Sequence, residues 1–396
     1  MSVLTPRKFY WPAINLVGPG SVKLVGEEIA KLNLKKALLV TDRVLRENGV
    51  VKQITDVLDQ EDIIYSIFDE VKPNPSTTNV HDGLAVFQKE GCDFIITVGG
   101  GSPQDTGSGI GILATNGGNI ADYEGVGKSR NKSVPIVAIS TTAGTAAEVT
   151  INYVITDEAR KLKMIMVDPN ALPVIAVNDP ELMMKKPKGL TAATGLDALT
   201  HAIEGYTAKG AFELTDAIAY KSIELIAKYL EQAVEQGSNV EARSGMGWGS
   251  FIAGLCYSNA GLGIVHSMAH QLGGEYDLPH GVANAMLLPY VMEFNMDACP
   301  HKFADIARAL GRDTSAAATV EEAAGMAVDE VRRISKAVNI PPLRESPFRV
   351  EDVEKLAEQA LKDACTGANP KPVTKEDLIA IYMKAYEAGA SAEAAQ

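Results

Sequence analysis

Six histidines occur in the 396 residues, and three of them, His266, His270 and His280, fall in the stretch IVHSMAHQLGGEYDLPHG at 264–281. A fourth, His201, lies four residues after Asp197 in TGLDALTHAIEG. On a helix, residues four apart share one face, so Asp197 pairs with His201, and His266 with His270. His280 follows Pro279, past the glycines of LGGEYDLPHG, where a turn can fold it back. One carboxylate and three imidazoles make a four-ligand set for a divalent cation, and four histidines are on hand for three places. The set carried forward is Asp197, His201, His266 and His280. Such donors suit Fe, Zn, Ni or Co without selecting among them. A single histidine on an apolar face is more often a packed core residue; it is the concentration of four in two short segments that points to a metal. His81 and His301, in TNVHDG and CPHKF, read as surface residues.

A cation held this way polarises an alcohol or carbonyl oxygen. That chemistry needs a hydride partner, and the first half of the chain offers a place for one. FIITVGGGSPQD at 94–105 runs an apolar strand into Gly99, Gly100 and Gly101, then Ser102, Pro103 and a helical pattern. Glycine permits close backbone approach to a ligand. A helix N-terminus presents unpaired N–H groups to a phosphate, and proline fits its first turn. A second loop, TTAGTAAE at 141–148, places Thr141, Thr142 and Thr145 after another strand, at the C-terminal edge where open α/β sheets bind ligands. Two such loops fit a dinucleotide, although the glycine spacing is not GxGxxG. Asp42 ends the run ALLVTD. It either accepts hydrogen bonds from ribose hydroxyls, which favours NAD over NADP, or caps a turn or helix. His270, left out of the ligand set, is assigned the relay of the alcohol proton.

The elements that must position these residues change in character near residue 190. Before it, residues 37–42, 65–71, 94–101, 135–141 and 173–179 read as buried strands, each ending in Gly, Pro, Asn, Asp or Thr. Their continuous apolar runs, alternating with helical patterns, predict a mostly parallel sheet covered on both faces. Beyond it, TDAIAYKSIELIAKYLEQAVEQG, VEEAAGMAVDEVRRISKAV and VEDVEKLAEQALKDA carry apolar residues at helical spacing. The expected fold is an α/β nucleotide-binding domain over 1–190 and an all-helical metal- and substrate-binding domain over 191–396, with a cleft between them. The tail EAGASAEAAQ is expected to fray.

Composition narrows the partners. A net charge of −13 without Lys/Arg clusters argues against nucleic acid. No apolar run approaches the roughly 18–20 residues of a membrane span. No secretion signal is visible at the N-terminus, which makes the cytoplasm the expected location. Four scattered cysteines without a CxxC pair read as reduced thiols.

With these residues in hand, the sequence resembles the iron-containing (group III) alcohol dehydrogenases over nearly its whole length. The resemblance rests on KALLVTD, PNP at 73–75, GGGSPQDT at 99–106, TTAGTAAEVTINYVITDE at 141–158, GLDALTHAIEGY at 195–206, GLGIVHSMAHQLGG at 261–274, PHGVANAMLLP at 279–289 and CTGANP at 365–370. It implies a dehydroquinate synthase-like architecture and NAD(H)-linked interconversion of a short alcohol or diol, such as 1,2-propanediol, with its aldehyde. It assigns a divalent metal, iron(II) first and zinc second, to Asp197, His201, His266 and His280, and puts His270 beside metal and nicotinamide. It gives Asp42 and Asn74 to the adenosine ribose and Gly99, Gly100, Gly101 and Ser102 to the pyrophosphate. Asp105, Thr141, Thr142, Thr145 and Lys163 complete the cofactor site, and Asn152, Tyr257 and Cys365 match positions near the substrate. It also implies a homodimer or larger homo-oligomer. Two positions depart from the pattern: Ser108 stands where a lysine is usual, and Tyr257 where phenylalanine is expected. A lyase of the dehydroquinate synthase type would need basic residues to grip a phosphorylated acid, and the histidine segments are nearly free of Lys and Arg.

Overall fold

The computed structural model describes residues 5–160 and 162–393, with side chains through residue 388. Two compact units emerge: 9–185, and 186–396 together with the arm 1–8. The described part of that arm thus groups with the helical unit, where the guanidinium of Arg7 lies 5.8 Å from the Phe212 ring centroid.

The first unit contains strands β1 (Ile14–Val17), β2 (Lys36–Val40), β3 (Ile64–Phe68), β4 (Phe94–Gly99), β5 (Gly125–Val126), β6 (Ile136–Ser140), β7 (Asn152–Asp157), β8 (Leu162–Val167) and β9 (Ile175–Asn178). Its helices are α1 (Val25–Ala30), α2 (Arg43–Glu47), α3 (Val50–Gln60), α4 (Thr77–Lys89) and α5 (Gly101–Asn116). Six strands form an all-parallel sheet in the order β1-β9-β6-β4-β2-β3. The central strands are apolar on both faces because both faces are covered. Leu39, Ile96 and Val137 join Val25, Ile54 and Leu58 on one side, while Leu38, Ile95 and Ile136 join Val80, Ile110 and Phe87 on the other. The five strands read from the sequence are β2, β3, β4, β6 and β9.

Two features lie outside that reading. β1 adds a parallel edge strand beside β9, and the antiparallel pair β7–β8, with β5 alongside, forms a separate three-stranded sheet. Helix α5 begins at Gly101, so Pro103 lies in its first turn, as its missing N–H allows.

The second unit contains α6 (Lys188–Thr207), α7 (Glu213–Glu235), α8 (Val240–Ala260), α9 (Ile264–Tyr276), α10 (His280–Asn295), α11 (Pro300–Ala309), α12 (Val320–Ala337), α13 (Val353–Lys362) and α14 (Lys375–Glu393). It has no strand among the described residues. Nearly every residue of α6 from Thr191 to Thr207 is buried, which makes it the central helix. Helix α14 runs to Glu393, so the expected fraying does not hold that far; residues 394–396 lie outside the described residues. Among the described residues, no helix is long and apolar enough to cross a membrane. All four cysteines are free thiols.

Candidate active site

Helix α6 carries Asp197, His201 and Glu204 on successive turns, all buried. Helix α9 carries His266 and His270, and His280 is the first residue of α10. His280 therefore stands at a helix start rather than on a returning turn. The next residue, Gly281, makes the approach to α6 possible. A Cβ there would fall 2.5 Å from the carbonyl oxygen of Ala193 and 3.3 Å from Cβ of Asp197.

One donor atom from each of Asp197, His201, His266 and His280 lies within 4.8 Å of every other. Nε2 of His280 is 3.5 Å, and Nε2 of His266 4.0 Å, from Oδ1 of Asp197. Two ligand bonds of about 2.1 Å bridge separations up to roughly 4.2 Å, which covers the His280–Asp197 and His266–Asp197 pairs. One anionic oxygen and three imidazole nitrogens are also chemically right for a divalent ion. The His201 and His266 rings stack at 4.5 Å, and Tyr257 stacks on His201 at 4.3 Å.

Buried acids fix the imidazoles. Oε2 of Glu204 lies 2.5 Å from Nδ1 of His266, and its Oε1 accepts the Val265 N–H at 2.7 Å. With the proton on Nδ1, Nε2 of His266 keeps its lone pair for a cation. Burial lifts Glu204 to about 8, against the N–H groups of Val265, Gly263 and His266 at the start of α9. Burial, with the neighbouring imidazoles, holds His266 well below its ordinary range, which favours the neutral, ligating form. Burial also raises Asp197, opposed by His201 and by the Asn284 amide. Oδ2 of Asp363 lies 2.9 Å from Nδ1 of His270, leaving Nε2 as that ring's acceptor. Asp363 also accepts the Cys365 N–H at 2.9 Å. Burial pushes the Cys365 thiol well up, so it stays protonated.

Glu204, Asp363 and Asn284 were not among the residues the sequence singled out. Glu204 had a signal: it lies three residues past His201 and seven past Asp197, on the same helical face. Asn284 lies four residues past His280. Asp363 is 93 residues from His270 and no spacing reveals it.

The two polar loops, after β4 and after β6, lie in the α/β unit. Gly99 pairs with Ser140 at the ends of β4 and β6, and Thr141 donates its N–H to the Gly99 carbonyl at 3.0 Å. A Cβ on Gly100 would meet the Thr142 side chain at 3.2 Å, and one on Gly101 would meet Thr145 Cγ2 at 3.2 Å. The two loops are thus in contact, with glycine leaving the room between them. Nζ of Lys163 donates to Oδ1 of Asn74 at 2.9 Å. Desolvation raises Asp105 well above its usual range, against the Val154 N–H and the Lys163 charge. Asp42 caps α2, its Oδ1 accepting the Leu45 N–H at 2.9 Å. Asn152 opens β7 in this unit, whereas Tyr257 on α8 and Cys365 after α13 belong to the helical unit. His301 is exposed and His81 half-buried, its Nε2 3.5 Å from Oδ1 of Asn119.

Two family descriptions match the chain: iron-containing alcohol dehydrogenase over residues 12–180, and the C-terminal part of the Fe-containing alcohol dehydrogenase family over 191–386. A 1,3-propanediol dehydrogenase from Klebsiella pneumoniae is 48% identical over 378 residues, 95% of this chain and 97% of that one. A lactaldehyde reductase from Escherichia coli K12 is 47% identical over 372 residues, 93% and 97% of the two chains. An NAD-dependent methanol dehydrogenase from Bacillus methanolicus is 44% identical over 378 residues, 95% and 99%. The crystal structure of a 1,3-propanediol oxidoreductase superposes with a TM-score of 0.94 at 48% identity, covering 96% of this chain and all of that one.

Proposed function

The chain belongs to the iron-containing alcohol dehydrogenase family, and from that premise we propose that it is a metal-dependent, NAD(H)-linked alcohol dehydrogenase or aldehyde reductase for short alcohols and diols. The observation that carries this reading is the convergence of Asp197, His201, His266 and His280 within 4.8 Å. A divalent cation, iron(II) by family, would supply polarisation of the alcohol or carbonyl oxygen, and NAD the hydride chemistry.

The residues divide the remaining work. Asp197 brings the charge that balances the cation, and Glu204 orients His266. His270, its Nδ1 held by Asp363, accepts the alcohol proton at Nε2 during oxidation and returns it during reduction. The backbone of Gly99, Gly100, Gly101 and Ser102 at the start of α5 takes the pyrophosphate. Asp42 and Asn74 take the ribose, and Asp105, Thr141, Thr142, Thr145 and Lys163 the rest of the cofactor. Asn152, Tyr257 and Cys365 contribute to substrate fit.

Among substrates, lactaldehyde leads, with 1,2-propanediol as its reduced partner, because a 47% identical relative is a lactaldehyde reductase. The 48% identical relative supports 1,3-propanediol as a second reading. The protein reconstituted with ferrous iron, given NADH and either lactaldehyde or 3-hydroxypropionaldehyde, is expected to consume nicotinamide absorbance, with the highest kcat/KM for lactaldehyde. NADPH should serve poorly, because Asp42 repels an added phosphate. No turnover with any short aldehyde or alcohol, iron restored, would overturn the reading. We further place the enzyme in the cytoplasm as a homodimer or larger homo-oligomer. Its four free thiols suit a reducing compartment. Trp11, 60% exposed near the edge strand β1, suits burial against a second copy; mass in solution tests this.

A further inference from the structure

Asn284 lies one helical turn beyond His280 on α10 and is fully buried. Its Nδ2 is 2.7 Å from Oδ1 of Asp197, 3.2 Å from Nε2 of His266 and 3.1 Å from Nε2 of His280. Three of the four ligand atoms thus converge on one amide nitrogen. The chemistry dictates which way the amide faces, since an oxygen in that place would put one acceptor against three. Its Oδ1 has no hydrogen-bond partner among the described residues, so every polar contact this side chain makes is directed at the ligand set. An amide carries two N–H groups, and three acceptors surround them, so at most two are served at once.

We propose that Asn284 is a positioning residue that stands in for the cation, holding Asp197, His266 and His280 together while the metal is absent. The inference rests on the reading that these residues bind a divalent ion. Without Asn284, the buried Asp197 oxygen and His266 nitrogen would lose the donor they share with the partly exposed His280, and removing a donor from buried acceptors is costly. Once the two imidazole lone pairs are committed to a cation, only Asp197 is left for the amide. Asn284 therefore stabilises the metal-free protein more than the loaded one. By linkage, removing it makes the metal-free fold less stable and the cation bind more tightly.

The test compares Asn284→Ala with wild type in two measurements: thermal unfolding of the metal-free and iron(II)-loaded proteins, and iron(II) affinity by competition with a chelator. The metal-free Tm is expected to fall by more than the loaded Tm. The affinity is expected to tighten by roughly two- to tenfold, the net worth of about one hydrogen bond. Asn284→Leu, which keeps the buried volume, should behave the same way, and a variant that folds only when iron is added is the extreme of that result. Asn295→Ala, which removes a buried amide paired with Asn369, should lower both Tm values equally. Equal losses for the two Asn284 variants, or weaker iron binding, would overturn the inference. A wild-type protein that binds no divalent ion would instead overturn the ligand reading beneath it.

Discussion

In the helical unit the proposed chemistry rests on side chains. Asp197, His201, His266 and His280 supply donor atoms from three helices, Glu204 and Asn284 hold members of that set, and Asp363 holds His270 beside it. In the α/β unit it is carried by backbone and by atoms left out: Gly100 and Gly101 give the space in which Thr142 and Thr145 lie against the strand end. The difference teaches how each should fail. A site built of donors fails when an atom is removed, and the loss is steep because the remaining donors are buried and cannot regroup. A site built of empty space fails when an atom is added, and the loss is gradual because neighbouring threonines can give by a few tenths of an ångström.

The largest expected effect therefore comes from deleting a donor. His266→Ala should reduce turnover about 1000-fold, the equivalent of ~4 kcal/mol of lost polarisation. NADH binding followed by fluorescence should stay within about twofold of wild type. Next, Glu204→Gln keeps the shape but weakens the grip on Nδ1 of His266. Outer partners of metal-bound histidines are worth about 10- to 100-fold in affinity or rate, which chelator competition would register as weaker iron binding.

Adding an atom to the other site should cost less. Gly100→Ala brings a methyl to 3.2 Å from the Thr142 side chain. An overpacking penalty of about 1 kcal/mol translates to roughly a fivefold higher KM for NADH, with iron content unchanged. If iron content fell too, the two sites would not be separable.

The smallest effect probes a buried acid that neither site uses. Glu148 is fully buried, its Oε1 accepting from Nδ2 of Asn178 at 2.9 Å. Burial raises it above the ordinary glutamate range, opposed by that amide. A raised folded-state pKa means the folded protein holds this proton where the unfolded chain has lost it. Stability from this group is thus complete below about 4.3 and declines as pH rises past that value. Glu148→Gln should remove the decline and raise Tm at neutral pH, with the gain vanishing in acid.

Legibility in the sequence followed the same division. Side-chain donors announce themselves by type and spacing, so the D-x3-H and H-x3-H pairs were readable before any coordinates. The central strands were readable because burial on both faces makes them continuously apolar. β7 was missed because only three residues separate NYVITD from the threonine loop; β8, LKMIMV, carries Lys163, Met164 and Met166 where β-branched or aromatic residues would mark a strand. β1 was missed because it is four residues long and only partly buried, with Ile14 and Leu16 packed against the core and Asn15 exposed between them. Asp363 was unreadable for a different reason: its partner is 93 residues away, and only tertiary packing brings them together. Asp42 was legible as a choice between cap and ribose contact, and the cap on α2 is one of the two in place.

The most direct test is the ratio of iron to chain after chelation and reconstitution, read together with aldehyde-dependent NADH oxidation. Wild type should return to one iron per chain with turnover rising in proportion, while His201→Ala and His266→Ala should hold almost none and stay inactive. Variants lacking these histidines that still bind iron and still turn over would show that the cation sits elsewhere.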